Sequence, residues 1–164
     1  KNLTVLLKAF GEVAEGLPQN LVIAGGGALV KNSDARVDQL AGDQADRVRI
    51  VGRVDFAALR ALVAGADLLV MPSLYEGVGL PPLEAMAAGT PVVASRAASI
   101  PEVCGDAAWY VDPHNPHDIA QGIMRILQDA ALRDEFIRKG RMRVDTFSWQ
   151  TSAQRHMSLF ESLL

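Results

Sequence analysis

The stretch Met71–Ser95, MPSLYEGVGLPPLEAMAAGTPVVAS, decides the fold. With the residues before it, DLLVMP (67–72) is a short apolar run closed by proline, and PVVAS (91–95) is a second run of the same kind. Short apolar runs bounded by Gly, Pro or Asp read as strands of a parallel sheet that are buried on both faces. Between them, Ser73 to Gly79 forms a loop, and a helix begins near Leu80 or Pro81, where the locked φ of proline suits a first turn. Gly89, Thr90 and Pro91 end that helix and return the chain to the sheet. Glu76 in the loop and Glu84 in the first turn of the helix stand eight positions apart, with the helix N-terminus between them.

Working outward, the same unit recurs. NLVIAGGG (20–27), VRIVG (48–52) and AWYVD (108–112) are further strands, and helical stretches fall at 35–44, 55–65, 81–88 and 99–104. In residues 2–14, Leu3, Leu6, Leu7, Phe10 and Val13 recur at helical spacing, a stripe wide enough to pack on a sheet. Three helices close the chain at about 116–129, 131–145 and 149–163. Asn115, Pro116 and Asp118 supply a cap, a first-turn proline and a third-position acid for the first of them, and Ser148 caps the last. Alternation of strand and helix predicts an α/β domain, a doubly wound Rossmann-like parallel sheet with helices on both faces. Such a domain starts with a strand, whereas a helix opens here at residue 2. The expectation is one domain over residues 1–164, the C-terminal piece of a longer protein whose first strand lies upstream.

Composition narrows the function. At 164 residues with 49% hydrophobic and 21% charged residues, the chain is a folded domain rather than a disordered one. A net charge of −3 with scattered Lys and Arg provides no basic patch, which argues against nucleic acid or an anionic membrane as partner. Cys104 is the single cysteine and no apolar run approaches the roughly 20 residues of a membrane span, so a reducing, cytoplasmic location is expected. Cys104 reads as a small buried hydrophobe. His114 and His117 in DPHNPHD (112–118) are explained by turn and cap chemistry, and no further ligands complete a metal shell. No metal and no cofactor is expected.

Two glycine-rich segments face the carboxyl ends of strands, where such folds bind ligands. GGGALV matches the first two glycines of a dinucleotide fingerprint at Gly25 and Gly27, but Val30 takes the third position and polar KNSD (31–34) follows where the helix should be under way. It reads as a strand exit that borders a ligand. At 73–80, by contrast, the backbone N–H groups of Val78, Gly79 and Leu80 lie at a helix N-terminus, where the dipole amounts to about +0.5 of a charge. Gly77 and Gly79 let a backbone approach an anion. A capping box does not explain Glu84, because residue 81 is proline rather than Ser or Thr.

That combination resembles the E-x7-E motif of the retaining glycosyltransferases of family 4, the glycosyl transferases group 1. Their GT-B fold has two Rossmann-like domains and binds the nucleotide-sugar donor in the C-terminal one. The likeness extends over the chain: KNLTVLLKAF resembles that domain's first helix, VRIVGRV the strand before the base-binding turn, and SIPEVCGDAAWYVDPHNPHDIAQGI a later loop, strand and helix. The resemblance implies that Glu76 contacts hydroxyls of the donor sugar and Glu84 the ribose diol, while the Gly77–Leu80 segment meets the diphosphate through the amides of Val78, Gly79 and Leu80. Lys1 would bind the phosphates, Arg53 and Val54 would lie near the base, and Gly25 would border the donor, with Glu76 and Lys1 as the catalytic residues. Val78 stands where phenylalanine is common, Pro82 doubles a usually single proline, and the family's partner arginine should precede Lys1. The implied activity is metal-independent transfer of a sugar from a nucleotide-sugar, completed by an N-terminal acceptor domain through which any peripheral membrane contact would run. A nucleotide-sugar epimerase and a non-catalytic nucleotide-sugar sensor are the alternatives. For the last helix, a bridge between the two domains and packing on the sheet stand as equal expectations.

Overall fold

The computed structural model describes residues 1–25 and 39–163. The apolar stripe predicted at residues 2–14 forms α1 (Leu3–Val13), which buries Leu6, Leu7, Ala9, Phe10 and Val13. β1 (Leu21–Ala24) follows, then β2 (Val48–Gly52), α2 (Phe56–Ala64) and β3 (Leu69–Met71). Next come α3 (Leu80–Ala88), β4 (Val92–Ser95), α4 (Ile100–Cys104) and β5 (Trp109–Val111). The chain closes with α5 (Pro116–Gln128), α6 (Ala130–Val144) and α7 (Trp149–Glu161). Of the helix expected at 35–44, residues 35–38 lie outside the described residues, 39–41 are helical, and Gly42–Arg47 winds as a 3-10 helix. Gly27 and Val30 of the glycine-rich segment also lie outside them.

Among the described residues all strand pairs are parallel, as the alternation predicts, but they form two ladders: β1 with β2, and β3–β4–β5 in that order. Among the described residues no ladder joins β1 to β3. The two are nonetheless near one another: Gln19 Nε2 donates to Asp67 Oδ2 at 3.2 Å just ahead of both strands, and Leu21, Leu68 and Val70 pack on one cluster.

β4 is the strand that behaves as a fully covered one. Its Val93 faces the cluster under α1 and α5, with Leu6, Ala9, Ile119, Ile123 and Ile126. Its Val92 and Ala94 face the opposite cluster under α3 and α4, with Met86, Ile100, Val103 and Cys104. Burial pushes the Cys104 thiol up to about 11, so it is an inert packing group as the sequence suggests. β1 and β2 were expected to be buried on both faces and are covered on one. Leu21, Ile23 and Ile50 pack with Leu7, Phe10 and Val48, while Val22 and Val51 on the other side are 45% and 41% exposed.

Helix boundaries follow local chemistry. Asn115 Oδ1 accepts from the amides of His117 and Asp118, Pro116 opens α5, and Asp118 Oδ2 accepts from Asp112 N at 2.6 Å. Asn115→Ala should therefore lower stability by about 1 kcal/mol, the usual value of such a cap. A shifted urea midpoint with an unchanged m-value would show it. α6 lies against α3, where a Cβ on Gly140 would come within 2.9 Å of Met86 Cγ. α7, capped by Ser148 as expected, has no buried residue, and Trp149 on it is 83% exposed. It does not pack on the sheet. No helix among the described residues is long and apolar enough to cross a membrane.

Candidate functional site

Within each ladder the described strands run parallel, and the Gln19–Asp67 bond brings the starts of β1 and β3 together, so the carboxyl ends of both ladders lie on the same side, and the loops there carry the candidate residues. After β3, Pro72 and Ser73 are buried, and the chain turns outward through Leu74, Tyr75 and the exposed Gly77 and Val78. Gly79 then adopts φ 85° and ψ 57° and caps α3. This left-handed backbone favours glycine, and a Cβ would in addition stand 3.5 Å from Met71 Cε.

Two prolines shape the N-terminal end of α3. A helix leaves its first N–H groups without internal partners, and Pro81 and Pro82 remove two such groups. The amides of Val78, Gly79 and Leu80 make no backbone hydrogen bond among the described residues, so the positive end of the dipole is concentrated on them. Pro82 is also fully buried, which accounts for the doubled proline as a packing residue.

Glu76 is the most enclosed acid of this group, its side chain 15% exposed. Its Oε1 accepts from Lys1 Nζ at 2.7 Å, across 75 residues of sequence. The Lys1 hydrogen bond holds the Glu76 carboxyl below its usual range, against the upward push of its burial. A depressed value keeps Glu76 ionised at pH values where a free glutamate begins to take up a proton. Lys1 itself is 68% exposed and so remains available to a ligand at the rim.

The loop is fixed from three sides. Ser95 Oγ at the end of β4 donates to Ser73 O at 2.5 Å. Ser99 Oγ lies 2.8 Å from Glu76 O and 3.0 Å from Val78 O, one hydroxyl hydrogen shared between two carbonyls. Ser99 precedes α4 and reads as its cap, but makes no cap bond because its hydroxyl is turned to the loop. The Asn2 amide donates to Pro72 O at 3.0 Å and to Pro113 O at 2.5 Å. Sequence reasoning missed Asn2 and Ser99, since nothing local in either neighbourhood announces these partners. Ser73 Oγ is fully buried near the Glu76 carboxyl, which it also helps to hold down, and makes no hydrogen bond of good geometry among the described residues.

Glu84 lies apart from this network. Gly79 rather than a later residue caps α3, so Leu80 opens the helix and Glu84 is its fifth residue, beyond the first turn where it was expected. It is exposed and makes no ion pair or side-chain hydrogen bond among the described residues. The macrodipole fades within the first turn and so does not account for an acid there. Gly25 N donates to Gly52 O at 2.7 Å, linking the ends of β1 and β2. Arg53 is exposed and Val54 half-buried just beyond the carboxyl end of β2, without a bond to the Lys1–Glu76 pair among the described residues. No group of three or more His, Cys, Asp or Glu side chains able to hold a metal occurs among the described residues. Of the DPHNPHD histidines, His117 Nδ1 stands 3.0 Å from Glu12 Oε2, while the backbone N–H of His114 closes a turn on Asp112.

Comparison with known proteins finds relatives named as mannosyltransferases and solved structures of the same fold. The chain is 39% identical over 116 residues to O-antigen chain mannosyltransferase B of Escherichia coli, covering 71% of this chain and 30% of that protein. It is 32% identical over 173 residues to phosphatidyl-myo-inositol mannosyltransferase of Mycobacterium tuberculosis, covering 99% and 44%. The chain thus spans less than half the length of these relatives. Among solved structures, sucrose-phosphate synthase from Thermosynechococcus elongatus superposes with a TM-score of 0.78 at 27% identity, over 98% of this chain and 43% of that one. HepE of Anabaena, solved in complex with UDP, shares the fold with a TM-score of 0.82 at 21% identity, over 96% and 44%. The family model described as glycosyl transferases group 1 matches residues 1–143, and the chain belongs to that family.

Proposed function

We propose that this chain is the donor-binding half of a longer, retaining and metal-independent glycosyltransferase, which moves a sugar from a nucleotide-sugar to an acceptor. The observation that carries this reading is the Lys1–Glu76 pair set beside the proline-trimmed N-terminus of α3, on the rim where the parallel strands end. Breaking the bond between the sugar and the diphosphate builds negative charge on the leaving group. The amides of Val78, Gly79 and Leu80 and the Lys1 ammonium stabilise that charge. Glu76, ionised and partly enclosed, accepts hydrogen bonds from sugar hydroxyls, and exposed Glu84 accepts from the ribose diol. Arg53 and Val54 flank the base, with Gly25 at the border.

HepE of Anabaena was solved with UDP and glucose as well as with UDP alone, which supports a nucleoside diphosphate at the corresponding rim. The acceptor domain belongs to the remaining length that the relatives have and this chain does not match. A further strand, running between β1 and β3, would join the two ladders into one sheet in the doubly wound order. The exposed apolar side of α7 is a surface for the partner domain.

Calorimetric titration of the intact protein with UDP, GDP and ADP tests the reading. One of the three is expected to bind in the presence of EDTA, and its sugar conjugate to be consumed when acceptor is supplied. Absence of binding by all three would refute it.

A further inference from the structure

We infer that Asn2 is a positioning residue, whose side-chain amide anchors the start of α1 to the ends of β3 and β5 and thereby holds Lys1 on Glu76. Asn2 sits at φ 59° and ψ 38°, left-handed backbone in which asparagine and glycine are the usual residues. Its side chain does not cap α1. Instead the two hydrogens of its amide meet two acceptors, Pro72 O and Pro113 O, 70 and 111 residues away. Pro72 ends the strand that feeds the Glu76 loop, and Lys1 is the residue next to Asn2. The Glu76 loop is braced separately by Ser95 and Ser99, so what the Asn2 side chain places is Lys1, tied to the strand end behind that loop.

Residue chemistry leaves little other reason for asparagine here. Glycine meets the backbone requirement and ties nothing, and aspartate has the same outline but no hydrogen to donate to a carbonyl. A second observation points to the same loop. Among the described residues, the non-glycine positions with positive φ are Asn2 and Ala98, and Ala98 precedes the Ser99 that braces Glu76 O and Val78 O. Backbone held in sparsely populated regions gathers where a site is kept in a fixed geometry.

The inference rests on the donor-site reading, and a double-mutant cycle separates the two. In the intact enzyme, Asn2→Gly preserves the left-handed turn and deletes both amide bonds, Asn2→Asp keeps the shape without the donors, and Lys1→Ala removes the group being placed. Asn2→Gly is expected to lower kcat by about tenfold, a typical consequence of a charge displaced from its working position. Asn2→Asp should match or exceed that loss. Thermal unfolding of each variant should remain a single transition. In the Lys1→Ala background, Asn2→Gly should cost nothing more, because a residue acting through Lys1 has nothing left to place. Equal losses in both backgrounds, or full activity of Asn2→Gly beside an impaired Lys1→Ala, would overturn the inference and leave the donor site standing. If Lys1→Ala itself retains full turnover and diphosphate affinity, the reading of the site falls, and the inference with it.

Discussion

Glu76→Ala is expected to lower turnover of the intact enzyme by about a hundredfold or more while changing nucleoside diphosphate affinity little. The carboxylate is ionised, partly enclosed and held by Lys1, so its free lone pairs are directed to whatever lies beside the α3 N-terminus. Beside a diphosphate, a second anion is repulsive unless it faces hydroxyls, which is the arrangement proposed for the sugar. Contacts to a sugar that becomes charged as its bond breaks strengthen in the transition state, and such contacts act on kcat rather than on ground-state binding. Alanine also releases Lys1, which then serves the phosphates alone and offsets any loss of diphosphate binding. Steady-state kinetics with calorimetry of the diphosphate would check both halves of the expectation. A variant with normal turnover removes Glu76 from the sugar site.

Glu84→Ala is expected to have the opposite profile, weakening the nucleoside diphosphate itself by roughly ten- to a hundredfold. The estimate takes about 1.5 to 3 kcal/mol for hydrogen bonds to a charged group and converts it by the usual relation. Exposed and without a partner among the described residues, Glu84 has little structural work to lose, so the fold should tolerate the change. Calorimetry on wild type and variant measures the difference directly, and equal affinities would exclude the ribose role.

Much of the fold is legible in the sequence because it depends on neighbours in the chain. The Asn115–Pro116–Asp118 start of α5 and the Gly89 end of α3 are local chemistry and are found where expected. Strand positions follow from short apolar runs for the same reason. What such runs cannot disclose is which neighbour each strand takes or which faces are covered. LVIA in β1 and VVAS in β4 look alike, yet β4 is buried throughout whereas Val22 in β1 is half-exposed. The site shows the same divide. Loop and helix around Glu76 and Glu84 are evident from the glycine and proline pattern, while the family resemblance implied separate tasks for Lys1 and Glu76 and gave no sign that the two pair across 75 residues. Asn2 and Ser99 lay beyond both routes, because their acceptors are distant main-chain carbonyls of residues whose type carries no signal.

A single five-stranded sheet has two edges, and division of the described strands into ladders of two and three gives four. β1 and β3 supply additional edges, each with backbone N–H and C=O groups lacking a ladder partner among the described residues. Such edges template any extended segment that arrives. The geometry proposed to receive one further strand is equally suited to a strand from another copy, so the unpaired edges carry a built-in route to self-association.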